Sequence, residues 1–300
     1  MKRNVIEMGG KTYVISLPAI WVKRFGIKKG EELDVEEENN RIIISTNKQR
    51  TAKTAKIDVT NLNSTILNRL LYAAYIKGVD EIYVSFYKEE ERLLTKRTVN
   101  TLMGFSIVDE GKGYIRMKDM YGPATEFEPI LRRVFFMLNT MIKEGIDCLK
   151  NKRKGFLPEL KRQDWFIGDS VNFCLRYLYK KGYSDYTKTM TLYATIRSLE
   201  NLGDEFYWLI KLLSSPKIKK GKAIFETLYL VANMFQQYSM LFYEPDKDKL
   251  IALANCKEKL DAKIIAISKT VPKGAAFIGP LWAVATRTFD LIEPKLEELY

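Results

Sequence analysis

Hydrophobic and polar positions change rhythm twice along the chain. Up to residue 48 they alternate in short runs: Asn4-Val-Ile-Glu7, Tyr13-Val-Ile-Ser-Leu17, Glu32-Leu-Asp-Val35 and Arg41-Ile-Ile-Ile44. Gly9-Gly10, Gly26, Gly30 and Asn39-Asn40 separate the runs. Period-two alternation bounded by turn residues predicts strands. Pro18–Phe25 interrupts the pattern, and a Pro near its start with Gly26 past its end predicts one short helix. Between residues 49 and 122 the signals take turns. Ala55–Val59 and Glu81–Phe86 predict strands, and Leu62–Lys77 and Glu89–Leu102 predict helices. Phe105–Asp109 and Gly113–Met117 predict a hairpin across Glu110-Gly111-Lys112, completing a small α/β layer. From Pro123 to Tyr300 the period is helical, with breaks at Gly155/Pro158, Gly182, Pro216, Pro245 and Pro272. Long helices separated by short breaks predict an all-α bundle.

The helical region also repeats itself. Asp169-Ser-Val-Asn172 and Glu258-Lys-Leu-Asp261 share a pattern 89 residues apart, and Arg197-Ser-Leu-Glu200 and Arg287-Thr-Phe-Asp290 share another 90 residues apart. Two matches in one register predict tandem three-helix units, 123–215 and 216–300. The expected fold class is multidomain α+β, with domains at 1–48, 49–122 and 123–300.

Composition narrows the chemistry. The 300 residues hold 49 Lys plus Arg, 37 Asp plus Glu and no histidine, for a net charge of +12. Without imidazole there is no Ser-His-Asp or Cys-His nucleophile pair and no His-Glu zinc hydrolase. Cys148, Cys174 and Cys256 are too few for a Cys₄ site and sit in apolar helical patterns, as reduced core thiols do. No apolar run is long enough to span a membrane, and the start has no signal-peptide core, so a cytoplasmic protein is expected. The positive balance points to an anionic partner, nucleic acid first.

A motif focuses that charge. Gly10-Lys-Thr-Tyr-Val-Ile-Ser-Leu-Pro18 is followed by Trp21-Val-Lys-Arg-Phe-Gly-Ile-Lys-Lys-Gly30 and Glu32-Leu-Asp-Val35. About 45 residues bury too little apolar surface alone, so dimerisation is expected. Residues 2–46 resemble the SpoVT/AbrB family of swapped-hairpin DNA-binding domains. The resemblance implies an interleaved β-barrel made by a homodimer, and double-stranded DNA contacted by Arg3, Lys11, Lys23 and Arg24. Lysine at position 11 replaces the commoner arginine, which weakens bidentate base reading there.

A second constellation lies in the helices. Glu200 and Asp204 are spaced i, i+4 and so share a helix face, where they repel unless a cation, proton or basic partner intervenes. Oxygen-only ligands suit Mg, Mn, Ca or an iron–carboxylate cluster. Arg197-Ser-Leu-Glu-Asn-Leu-Gly-Asp204 resembles the PhoU signature, with Asn201 in place of its second Arg. That resemblance extends over residues 123–300 and implies two three-helix repeats. It also implies a metal held by Glu200, Asp204, Asp169, Glu258, Asp261 and Asp290. Pro294 falls where the second repeat would place its last acid, so its set is incomplete. The whole order resembles archaeal fusions of an AbrB-like head with a PhoU-like tail.

The expected function is a transcriptional regulator linked to phosphate homeostasis, its helical part a sensor or partner-binding module, and not an enzyme. The alternatives are a PhoU-like adaptor docking on a transporter or kinase, and a sequence-tolerant architectural DNA-binding protein. Lys150-Asn-Lys-Arg-Lys-Gly155 and Pro216-Lys-Ile-Lys-Lys-Gly221 lie at helix connections; they could extend a DNA path or bind phosphate, but a loop charge run is usually just solvated. Trp165, Trp208 and Trp282 read as core.

Overall fold

The computed structural model describes residues 2–38, 41–46, 52–120, 127–271 and 276–299. The breaks expected at Pro123 and Pro272, the Asn39-Asn40 turn and the boundary at 48 lie outside these residues. The chain divides into two compact units, 1–52 and 53–300. The α/β layer and the helices both lie in the second unit.

In the first unit, β1 (Val5–Met8) pairs antiparallel with β2 (Thr12–Ile15), and β3 (Asp34–Glu38) with β4 (Arg41–Ser45). The two hairpins form separate two-stranded sheets. Gly9 and Gly10 take φ of +65° and +75° in the first turn, a conformation that a side chain would strain. Between the hairpins lies α1 (Ala19–Phe25), entered through Pro18 and closed by Gly26 in the left-handed region.

The second unit opens with a four-stranded sheet, ordered β5-β6-β8-β7. The strands are β5 (Thr54–Asp58), β6 (Glu81–Ser85), β7 (Phe105–Gly111) and β8 (Tyr114–Asp119). Parallel β5 and β6 are joined by the crossover helix α2 (Ser64–Ile76), which Asn63 caps by accepting from the Ile66 N–H. The helix α3 (Glu89–Val99) leads to the antiparallel β7–β8 hairpin. Ile82, Val84, Ile115 and Met117 are buried on one sheet face, while Tyr83, Arg116 and Lys118 are exposed on the other.

The helices that follow are α4 (Phe127–Lys150), α5 (Leu157–Lys181), α6 (Thr189–Leu213), α7 (Lys222–Tyr243), α8 (Lys247–Thr270), α9 (Ile278–Asp290) and α10 (Ile292–Leu299). α4, α5 and α6 pack on one another, as do α7, α8 and α9, with α4 against α7 and α6 against α9. A Cβ on Gly145 would meet Phe206 at 3.0 Å, Ile210 at 3.3 Å and Leu160 at 3.5 Å, which is how closely α4 approaches α5 and α6. The last helical segment is not continuous. Pro294 clashes with the carbonyl four residues back in an unbroken helix, so the chain restarts after Leu291 with Pro294 in the first turn, where the missing N–H has no partner to lose. The core expectation for the tryptophans fails: Trp165 is 60% exposed, Trp208 53% and Trp282 39%. Each sits on an outward face that helical spacing alone did not identify. Cys174 and Cys256 are buried and Cys148 half-buried, all free thiols.

Candidate nucleic-acid interface

The four basic residues singled out in the first unit all lie at the surface. Arg3 precedes β1, and Lys11 ends the glycine turn between β1 and β2. Lys23 and Arg24 fill the last turn of α1, where the negative end of the helix dipole favours them. None of the four makes an ion pair among the described residues. Their charge is therefore available to an outside anion. Lys28 and Lys29, in the turn after α1, are also exposed. They belong to the same motif but follow the helix and do not lie on it. The Lys28 N–H donates to Glu31 at 2.9 Å, which fixes that turn.

The support beneath these cations is unusual. No described side chain from 2 to 46 is buried. Val5 pairs across from Ile15 and Ile6 from Val14, so the first hairpin is apolar on both faces. Val5 is 64% exposed and Ile6 57%, and Val35 and Ile42 in the other hairpin are as open. Isolated two-stranded hairpins are at best marginal in water. The unit has the surface of a core without its other half.

With that geometry in view, residues 7–52 match the family described as antidote-toxin recognition MazE, bacterial antitoxin. The N-terminal unit is MazE/AbrB-like. No curated protein matches the chain, and no solved structure does. Domains of the MazE/AbrB type typically dimerise and bind DNA.

The carboxylates of the second unit are placed differently. Arg197 donates to Glu200 at 2.6 Å, and Lys161 lies 3.6 Å from Asp204 while also donating to Asp164. Lys257 holds Asp261 at 2.6 Å. Glu258 and Asp290 are on α8 and α9. Arg287 reaches Glu205 on α6 at 2.6 Å, not the Asp290 that its motif pairs it with. Among the described residues no three His, Cys, Asp or Glu side chains gather as a ligand set. Cations of the chain already hold three of the six acids: Arg197 on Glu200, Lys161 on Asp204 and Lys257 on Asp261. Asp169 stands apart. Half-buried on α5 with no ion pair among the described residues, its carboxyl is pushed up to about 6 by burial. Burial also raises Asp164, against the pull of Lys161.

Sequence reasoning missed a polar anchor inside the second unit. Arg176 of α5 is buried, and its guanidinium donates to the carbonyls of Tyr75 at 2.6 Å and Val79 at 2.8 Å, and to Asp119 at 2.7 Å. It stacks 4.8 Å from the Tyr75 ring and 5.0 Å from Phe105. Beside it, Lys180 donates to Asp80 and, at 3.4 Å, to Asp119. Burial works against the charge on Asp80, yet bonds from Lys180 and the Lys53 N–H hold its carboxyl below the usual range. A cation amid Val171, Cys174, Leu175 and Leu178 was the available signal.

No helix among the described residues is long and apolar enough to cross a membrane.

Proposed function

We propose that the protein is a homodimeric, DNA-binding transcriptional regulator that acts by binding and not by catalysis. The observation that carries this reading is the match of residues 7–52 to a MazE-type domain, with Arg3, Lys11, Lys23 and Arg24 at the surface and in no ion pair among the described residues. A second copy would cover the hairpins that one chain leaves bare, through the interleaved barrel that the SpoVT/AbrB resemblance implies. Arg3, Lys11, Lys23 and Arg24 then contact double-stranded DNA, chiefly at phosphates. A two-fold dimer implies a pseudo-palindromic or shape-read site.

The helices serve as the sensor or partner-binding module. Support for a PhoU-like tail is the Arg197–Asp204 sequence signature together with the consecutive packing of α4–α6 and of α7–α9. Through that resemblance the regulator is assigned to phosphate homeostasis. A signal bound there changes DNA affinity only if it binds two arrangements of the dimer unequally.

Gel shifts on the DNA upstream of the protein's own coding sequence test the head. The Lys23→Ala, Arg24→Ala double variant is expected to bind at least ten-fold more weakly, and unchanged affinity would sink the assignment. Genome-wide mapping of bound DNA with and without phosphate limitation tests the tail, and identical maps would remove the phosphate link. The description of the matched family as recognising a toxin favours one second reading, in which the head pairs and docks a protein. That reading gains if the double variant keeps its DNA affinity but loses a protein that co-purifies with the wild type.

A further inference from the structure

Two basic loops have no part in that reading, and the fold brings them to one end of the bundle. α4, α5 and α6 are level with one another at Gly145, Leu160 and Phe206. Near the end of α4, the Tyr229 hydroxyl of α7 donates to Asp147 at 2.9 Å, and the Lys150 ammonium lies 5.2 Å from the Tyr229 ring. The connections α4–α5 and α6–α7 therefore leave the bundle on the same side. At ~1.5 Å of rise per residue they lie within about 10 Å of each other along the helix axes.

Residues 150–155 and 216–222 carry eight lysines and arginines and no acid, against a surplus of +12 for the whole chain. Lys152, Arg153, Lys154, Lys217, Lys219 and Lys222 are exposed. The nearby acids are already engaged. Glu159 holds Arg153 at 3.0 Å, and Glu226 holds Lys263 at 2.6 Å and Lys222 at 3.8 Å. Lys220 is also used, donating to the carbonyls of Leu213 at 2.9 Å and Ser215 at 3.2 Å and so pinning its loop to the end of α6. Lys152, Lys154, Lys217 and Lys219 make no ion pair among the described residues. Four free ammonium groups thus share one surface.

We infer that this end of the helical bundle is a second, sequence-independent contact for the phosphates of duplex DNA. The inference rests on the DNA-binding reading of the MazE-like unit. Ammonium groups on flexible stems are point charges without the planar fork that reads base edges, so they suit phosphates. A lipid surface fits less well. Neither loop holds an exposed large hydrophobic residue, and binding in the membrane interface needs apolar anchors beside the charge.

The test compares three full-length proteins: wild type, K152Q/K154Q/K217Q/K219Q and K23A/R24A. Each is titrated with a fluorescent random-sequence duplex over a range of salt concentrations. The substituted lysines are exposed, and circular dichroism checks that the fold is kept. The quadruple variant is expected to lose up to about 3.6 from the slope of log K against log salt, ~0.9 for each phosphate contact removed. A K152R/K154R/K217R/K219R variant is expected to keep the wild-type slope. If the quadruple glutamine variant matches wild type while K23A/R24A binds more weakly, the second contact is overturned and the head assignment stands. If only the quadruple variant changes, the contact stands and the head assignment falls. If the wild type shows no salt-dependent binding, both fall. Loss of pelleting with phosphatidylserine vesicles at an unchanged DNA slope would assign the surface to lipid and overturn the inference.

Discussion

Between residues 2 and 46 no described side chain is buried, whereas residues 53–300 enclose Tyr75, Phe206, Phe235 and Tyr238 at zero exposure. Both stretches have ample Val, Ile and aromatic residues. The difference lies in layers. In the second unit a one-sided sheet is covered by α2 and α3, and amphipathic helices cover one another, so each apolar stripe meets a partner from its own chain. The first unit has two hairpins and a seven-residue helix, with no second layer to close over them. Apolar content therefore does not forecast burial. The number of elements available to cover it does.

The largest effect expected is on assembly. Val14→Glu with Ile43→Glu places two charges on surfaces that a second copy would cover, and burying unpaired charges is prohibitive. Sedimentation velocity should show the dimer constant weakened by about 10⁴-fold or more, with the melting temperature of the second unit unchanged. If the double variant still sediments as a dimer, pairing runs through residues 53–300 and the contrast between the units loses its meaning.

Arg176→Ala probes the other side. It takes the 2.7 Å guanidinium contact away from Asp119 and one donor each from the Tyr75 and Val79 carbonyls, a loss of about 3–5 kcal/mol in the second unit. Thermal melts should show this loss at every protein concentration, while DNA affinity at low temperature is retained. A drop that vanishes on concentrating the protein would mean the second unit, too, depends on assembly.

The smallest effect is electrostatic and belongs to Asp169. Its folded carboxyl holds a proton up to about 6, whereas a carboxyl in the unfolded chain lets go near 3.8. The native state thus binds more protons in between, and the stability this contributes at low pH is lost as pH rises through about 6. Asp169→Asn mimics the protonated form, so its melting temperature should exceed that of wild type at pH 7.5 and match it near pH 4. Equal melting at both pH values would mean that the Asp169 carboxylate is well solvated.

Much of the fold was legible from residue spacing. The strand at 81–86 declares itself by alternation and α2 and α3 by their helical period, while the expected hairpin forms with its turn at Lys112-Gly113 and not across 110–112, since Glu110 and Gly111 still pair in β7. Local patterns carry that information because they concern which face a residue occupies. What covers the face is another matter. Trp165, Trp208 and Trp282 lie at helical spacing that suits a core, yet their faces point outward. The pairing of Arg287 with Glu205 was hidden for the same reason, since it joins α9 to α6 across 82 positions of sequence. The basic residues of the head were legible as a motif, but their freedom from ion pairs is a property of three dimensions. The spacing of the tail acids says nothing of their neighbours in space, among them the ammonium that Lys161 of α5 brings to Asp204 of α6.

The Arg176 guanidinium bonds the end of α2, the loop after it and the end of β8 at once. With those bonds in place, melting α5 alone takes the guanidinium away from two carbonyls and from Asp119, so α5 and the sheet are energetically coupled. In hydrogen exchange the amides of β6, β8 and the C-terminal half of α5 should consequently open as a single cooperative block, with one free energy for all of them. The border between sheet and bundle, so visible in the sequence, would then be absent from the protein's dynamics.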